Sequence, residues 1–274
     1  MTSKRIGRHM DIGRGPFRTD QLQTGDNYEL SNGHAIYCAP TGGDGARRAG
    51  HAFEIIDSDP SVEDAGIDPG FTLESGTLRA PDVAVGVTDA PGWIQGAPPL
   101  AVEYAGRGQD EADLQTKIDE LLGAGTRWIW VVRLTGPRRV EVYSRDAEVR
   151  VLGIDGILEA PGILKNPVPV LALFDREAAH ELTLRNLLQR RGFEGLDEAL
   201  SESRREGREE GRGEGREEGR EEGQRALLEA LLSTRFGPLD EASKRHLLEA
   251  PPERLLAIAQ RIMTATTLAE VLPA

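Results

Sequence analysis

The sequence predicts an α/β or α+β fold with a mixed sheet flanked by helices, then a charged helical spacer and a small α-helical C-terminal domain. Three observations predict it. Short apolar runs of strand length recur through the first 180 residues, broken by Gly and Pro. They stand before and after helix-period segments without the strict alternation of a βαβ array. From about residue 224, apolar residues recur at helical spacing. The expected divisions are a basic N-terminal arm at 1–21, a sheet-bearing domain at 22–180, a helix and repeat spacer at 181–223 and a helical domain at 224–274.

NYELSNGHAIYCAP (27–40) reads as two short strands around an Asn-Gly turn. ARRAGHAFEIIDS (46–58) carries Ala49, Phe53 and Ile56 at helical spacing. After a Pro/Gly/Asp-rich turn, FTLES (71–75), PDVAVGVTD (81–89) and PLAVEYAG (99–106) read as strands. DEADLQTKIDELLGAG (110–125) is a helix with Leu114, Ile118, Leu121 and Leu122 on one face, ended by Gly123 or Gly125. RWIWVVRL (127–134) and RRVEVYSRD (138–146) are strands joined by a Gly-Pro turn. In the spacer, Gly recurs at 207, 211, 215, 219 and 223, with Arg and Glu in the same four-residue period. Four helical residues advance about 400°, so each type forms a slowly drifting stripe. The Gly residues weaken an isolated helix by about 0.8–1 kcal/mol each relative to Ala. Two readings stay open: a solvated semi-rigid spacer, or an oligomerising helix that uses the Gly stripe for close approach.

The 274 residues hold 33 Lys+Arg against 46 Asp+Glu, a formal net charge of −13. Residues 1–180 hold 18 basic and 27 acidic side chains, a net of −9. That field excludes a generic nucleic-acid-coating protein and makes any polyanion site a local exception. One cysteine, Cys38, excludes an intramolecular disulfide framework and a cysteine-rich zinc site. The basic N-terminus lacks a following apolar stretch, and no run approaches the roughly 18–20 apolar residues that span a bilayer, so no membrane is expected and a reducing cytoplasm is. There is no GxxxxGK[ST], no recognisable Ser-His-Asp set and no metal-ligand spacing among the five His.

The chemistry is expected in 81–133. Strand alternation puts Val83, Val85 and Val87 on one face and Asp82, Ala84 and Gly86 on the other. It likewise separates Leu100, Val102 and Tyr104 from Ala101, Glu103 and Ala105. Each strand therefore carries one carboxylate on a face of small residues, which is costly unless the acid is paired or binds a cation. If the strands are neighbours, Asp82 and Glu103 share a cleft with room for an ion and a phosphate. Oxygen ligands of this kind suit Mg²⁺ or Mn²⁺. Lys117, on the following helix, could reach back to them and offset charge developing on phosphorus. A plainer reading stays open: Pro-Asp opening a strand, Glu103 paired with a buried Arg, Lys117 solvated.

YELSNG, PDVAV, LAVEY, DLQTKIDELLGAGTRWIWVV and VEVYSRD, in that order, resemble the Uma family of restriction-endonuclease-like proteins in the PD-(D/E)XK nuclease superfamily. Asp113, Lys117, Gly125 and Trp130 fall at the family's offsets, and the resemblance covers about 22–178. It implies a restriction-endonuclease-like mixed sheet, Asp82 and Glu103 as metal ligands, Lys117 as the catalytic lysine and DNA as substrate. The lysine more often lies two residues after the glutamate, where this chain has Ala105. Glu54, on the first predicted helix, resembles a further helical acid of some superfamily members, and His51 resembles a histidine seen there. The tyrosine expected four residues after the lysine is Leu121, and AGRGQDEA replaces a usual Ser-Pro-Ser loop.

Residues 224–274 resemble a small helical domain of transposase-associated PD-(D/E)XK nucleases, where it also follows Glu-Gly-Arg repeats. The expectation is a metal-dependent DNA endonuclease with weak, salt-sensitive DNA binding. The alternative is an inactive nuclease-fold scaffold that oligomerises or binds a protein partner through 200–274.

Overall fold

The turn between the first two strands needs two residues of positive φ, and the sequence supplies Asn32 and Gly33 at φ 47° and 79°. In the computed structural model, which describes residues 15–108, 110–210 and 218–272, β1 (Tyr28–Ser31) and β2 (His34–Tyr37) pair antiparallel across it. Next comes α1 (Gly43–Ser58), which buries Ala49, Ala52, Ile55 and Ile56 along one stripe. The chain continues through β3 (Ala65–Ile67), β4 (Phe71–Glu74), β5 (Thr77–Arg79), β6 (Val83–Val85), β7 (Ile94–Gln95) and β8 (Leu100–Ala105). Helix α2 (Glu111–Ala124) leads to β9 (Trp128–Arg133), β10 (Arg139–Ser144), β11 (Arg150–Gly153), β12 (Ile157–Leu158) and β13 (Val168–Pro169). The rest is helical: α3 (Arg176–Arg190), α4 (Leu196–Glu210), α5 (Glu218–Phe236), α6 (Glu241–Glu249), α7 (Pro252–Thr264) and α8 (Leu268–Val271).

Two main sheets result. The larger has the order β11-β10-β9-β8-β6-β3, the smaller β2-β1-β5-β4-β7, and β12 pairs with β13 apart from both. Within the larger sheet β8 and β9 are parallel, because α2 crosses over between them. The mixed sheet and flanking helices agree with the predicted fold class. Strand β6 ends at Val85 instead of reaching 89, since Gly86 turns the chain at φ 87°. Strands β3 and β5 have three residues each, too short for alternation to show in the sequence.

The larger sheet buries a different core on each face. Val83, Val85, Leu100 and Val102 pack with Ala52, Ile55 and Ile56 of α1. Ala101, Ala105, Ile129 and Val131 pack with Leu114, Ile118 and Leu121 of α2. Leu121, standing where the resemblance expects tyrosine, is fully buried there. Leu73 of the smaller sheet also packs against this second core, so α2 has sheet on both sides.

The C-terminal helices enclose a separate core of Leu228, Leu231, Leu232, Leu247, Leu255, Ile258 and Ile262, joined by Leu184 and Leu188 of α3 and Ala199 of α4. The flanks of the Glu-Gly-Arg repeat are helical, and α4 packs along α5. A Cβ on Gly223 would stand 2.9 Å from Ser203 Oγ, so this glycine permits a close approach within the chain itself. A solvated rod is not what these flanks form. Residues 1–14 of the expected basic arm and 211–217 of the repeat lie outside the described residues. No helix among the described residues is long and apolar enough to cross a membrane.

Candidate active site

Strands β6 and β8 are antiparallel, with Val83 opposite Val102 and Ala84 opposite Ala101. Carrying that register one residue further sets Asp82 opposite Glu103. Glu103 points to the α2 face of the sheet, because its neighbour Tyr104 points the other way and donates its hydroxyl to Arg48 O on α1 at 2.8 Å. Asp82 Oδ2 accepts the Tyr104 backbone N–H at 2.6 Å, which ties one strand's carboxylate to the other strand's backbone.

Helix α2 brings the cation. Asp110 caps it by accepting from the N–H groups of Ala112 and Asp113, and Gly125 ends it at φ 121°. With Leu114, Ile118 and Leu121 on the sheet, Lys117 and Glu120 come to the flank that meets the smaller sheet. The Lys117 ammonium lies 2.7 Å from Glu103 Oε1 and donates to Glu29 Oε1 at 3.0 Å and to Ala80 O at 2.8 Å. Three acceptors thus surround a group with three N–H donors.

Glu29 is itself fixed. Its Oε2 accepts from Arg79 Nη1 at 2.9 Å, and its Oε1 also accepts the Ala80 N–H at 3.2 Å. Arg79 Nε donates to Glu120 Oε2 at 2.5 Å, and Glu120 Oε1 accepts from Ser31 Oγ at 2.6 Å. A continuous chain of polar contacts therefore runs from Ser31 through Glu120, Arg79, Glu29 and Lys117 to Glu103.

The electrostatics follow from burial and these partners. Burial pushes the Glu103 carboxyl up to about 8, only partly opposed by Lys117. Burial also raises Asp82, against the pull of Lys117 and of the Tyr104 N–H. At Glu29 burial works upward too, but Lys117 and Arg79 hold the carboxyl below its ordinary value. Burial alone would lower the Lys117 ammonium, and the carboxylates of Glu103, Glu29 and Asp82 outweigh it and hold lysine above its ordinary value. Asp68, in the turn after β3 at φ 52°, donates its backbone N–H to Asp82 O at 3.3 Å and is raised by burial and then by Asp82.

Glu29, Glu103 and Glu120 form ion pairs with Lys117 and Arg79, and Asp82 and Asp68 stand close by, so five carboxyl groups meet two cations. A divalent cation would relieve that excess. Among the described residues no three His, Cys, Asp or Glu side chains converge as a metal cage. Two adjacent carboxylates without a cage fit a Mg²⁺-type ion, which keeps several waters and takes further oxygens from a phosphate.

Of the residues singled out from the sequence, Asp82, Glu103 and Lys117 come together and Glu54 does not join them. Glu54 lies on α1, across the sheet from Lys117, with its Oε2 3.7 Å from His180 Nε2. Arg235 and Arg176 are the cations that act on it there. His51 packs edge-on to the same His180, with ring centroids 6.0 Å apart. Glu29, Arg79, Glu120 and Asp68 were not expected. A lone acid in the YEL strand is the same signal that marked Asp82 and Glu103; a pairing of residues 29, 79, 117 and 120 across two sheets has no local signature.

The family described as "Uma2: Putative restriction endonuclease" matches residues 17–167, more than half of the chain. The chain belongs to the Uma2 family. A crystal structure of "a putative nuclease belonging to DUF820" from Anabaena variabilis ATCC 29413 matches at a TM-score of 0.50 and 19% identity, over 58% of this chain and 98% of that one. At that identity the likeness is one of fold. No curated protein matches the chain. The family's matched span holds β1–β12 with α1 and α2, and β13 and α3–α8 lie beyond it.

Proposed function

We propose that this protein is a metal-dependent nuclease that hydrolyses phosphodiester bonds of DNA, with Asp82 and Glu103 as ligands of Mg²⁺ or Mn²⁺ and Lys117 as the catalytic lysine. The observation that carries the reading is the convergence of these three residues from β8, α2 and the residue before β6. The Uma2 family's description as an endonuclease supports the reaction class. Asp82 and Glu103 would hold the ion, which when bound would polarise the phosphate and activate a water. Lys117 would present its ammonium to the phosphate and stabilise the charge that builds on its oxygens. The Tyr104 N–H fixes the orientation of Asp82, opposite Glu103 in the register.

The net of −9 over residues 1–180 makes DNA binding weak and salt-sensitive. The test is cleavage of supercoiled, linear and single-stranded DNA with Mg²⁺ or Mn²⁺, stopped by EDTA and lost in Lys117→Met. Cutting that persists in EDTA, or in Lys117→Met, contradicts the assignment. No cutting of any substrate with either metal favours an inactive scaffold.

A further inference from the structure

Lys117 is held from three sides: it donates to Glu29 Oε1 and Ala80 O and forms an ion pair with Glu103 Oε1 at 2.7 Å, an oxygen that accepts no hydrogen bond among the described residues. On the reading above, Glu103 must serve the metal ion and Lys117 must face the phosphate, so the shortest of these contacts has to loosen when the site is loaded. What keeps the ammonium in place then is the remaining pair of acceptors. Ala80 O is neutral. Glu29 is charged, buried and immobilised by Arg79 Nη1 and the Ala80 N–H, on a strand of the other sheet.

We infer that Glu29 is a positioning residue for Lys117, a second counter-ion that holds the ammonium at the carboxylate pair and so releases Glu103 to a divalent cation. Without Glu29, Glu103 is the one ion-pair partner left to Lys117 among the described residues, and Lys117 competes with the ion for it. Arg79 serves this arrangement by locking Glu29, and Glu120, itself held by the Ser31 hydroxyl, locks Arg79. The inference rests on the proposed metal site but concerns which residue controls access to Glu103.

The experiment is calorimetric titration of Mn²⁺ into the full chain as a double-mutant cycle on Glu29→Gln and Lys117→Met, with Glu103→Gln as control. Glu29→Gln is expected to weaken Mn²⁺ binding about tenfold, and to change it less than about twofold in the Lys117→Met background, since the competitor is gone. Equal weakening in both backgrounds overturns the inference, because simple loss of a nearby charge, or Glu29 acting as a ligand itself, would behave that way. Where Glu29→Gln fails to fold, Glu29→Asp, which draws the charge back by one methylene, must show the same pattern. If wild type binds no Mn²⁺, or Glu103→Gln binds it as well as wild type, the metal-site reading itself fails and the inference with it. If those two controls behave and the cycle is additive, the inference alone fails. A second readout is the kinetic split: Glu29→Gln at saturating Mn²⁺ lowers kcat with KM for DNA little changed, and the reverse contradicts a positioning role.

Discussion

Lys117 Nζ lies 2.7 Å from Glu103 Oε1, an ion pair between the helix that lies between the two sheets and the strand that carries the buried acid. Lysine offsets part of the cost of burying Glu103, yet that carboxyl is still pushed up to about 8. A buried acid so poorly satisfied by its neighbours is suited to accept a second, stronger cation.

Removing the cation while keeping its length separates chemistry from metal binding. Lys117→Met is expected to lower the cleavage rate by about a hundredfold or more, as loss of one transition-state donor does elsewhere. Its Mn²⁺ affinity should equal or exceed that of wild type, because the competing charge is gone. Quench-flow or gel kinetics and calorimetry on the same preparation check both, and a parallel loss of metal binding would contradict the role.

Asp82 is predicted to matter through charge more than shape. Asp82→Asn keeps an oxygen that can accept the Tyr104 N–H, the bond now measuring 2.6 Å. The variant should fold with a melting temperature close to wild type and lose most Mn²⁺ affinity. A folded variant with unchanged affinity would remove Asp82 from the site.

His180 gives a pH prediction away from the site. It is fully buried, and burial, then Arg235, Arg176 and His51, lower its pKa from 6.5 to about 4. In that window the unfolded chain binds the proton and the folded chain does not, so stability rises with pH from about 4 to 6.5 and is complete above it. Glu54, the acid facing His180, is held above its ordinary value by burial, with Arg235 and Arg176 opposing. It moves stability in the opposite sense, so the comparison is made between wild type and His180→Leu, not on the absolute slope. Chemical denaturation from pH 4 to 7 should show a shallower rise in the variant, and identical slopes would contradict the assignment.

Two glycine substitutions should differ in sign. Gly50, inside α1, has open space where a Cβ would stand, so Gly50→Ala should stabilise by about 0.5–1 kcal/mol. At Gly223 a Cβ would meet Ser203 Oγ at 2.9 Å and Ser203 O at 3.3 Å, so Gly223→Ala should lose that gain and destabilise by about 1 kcal/mol or more. Urea melts of the two variants measure both, and stabilisation at Gly223 would mean that α4 and α5 do not pack closely there.

The legible part of this protein was its periodicity. Alternation in PDVAV and LAVEY separated Asp82 and Glu103 from the apolar face, and helical spacing put Leu114, Ile118 and Leu121 on the core side of α2, where they are buried. Which side of the sheet a helix covers is set by tertiary packing, and that is why Glu54, though on a correctly expected helix, stands across the sheet from Lys117. The Glu29–Arg79–Glu120 chain was illegible for a related reason: its members lie 41 to 91 residues apart along the chain and meet only where two sheets enclose α2. The Gly-rich repeat offered no apolar stripe to predict a partner, yet its flanks find one within the chain, at Ser203 and Gly223.

The most direct test of the central claim compares DNA cleavage by wild type and Glu103→Gln at saturating Mn²⁺, under conditions where both are shown to be folded. Wild type is predicted to cut with a rate that follows metal occupancy, and Glu103→Gln to show no cutting above background. Equal rates in the two proteins, or a wild-type rate independent of Mn²⁺, would contradict it.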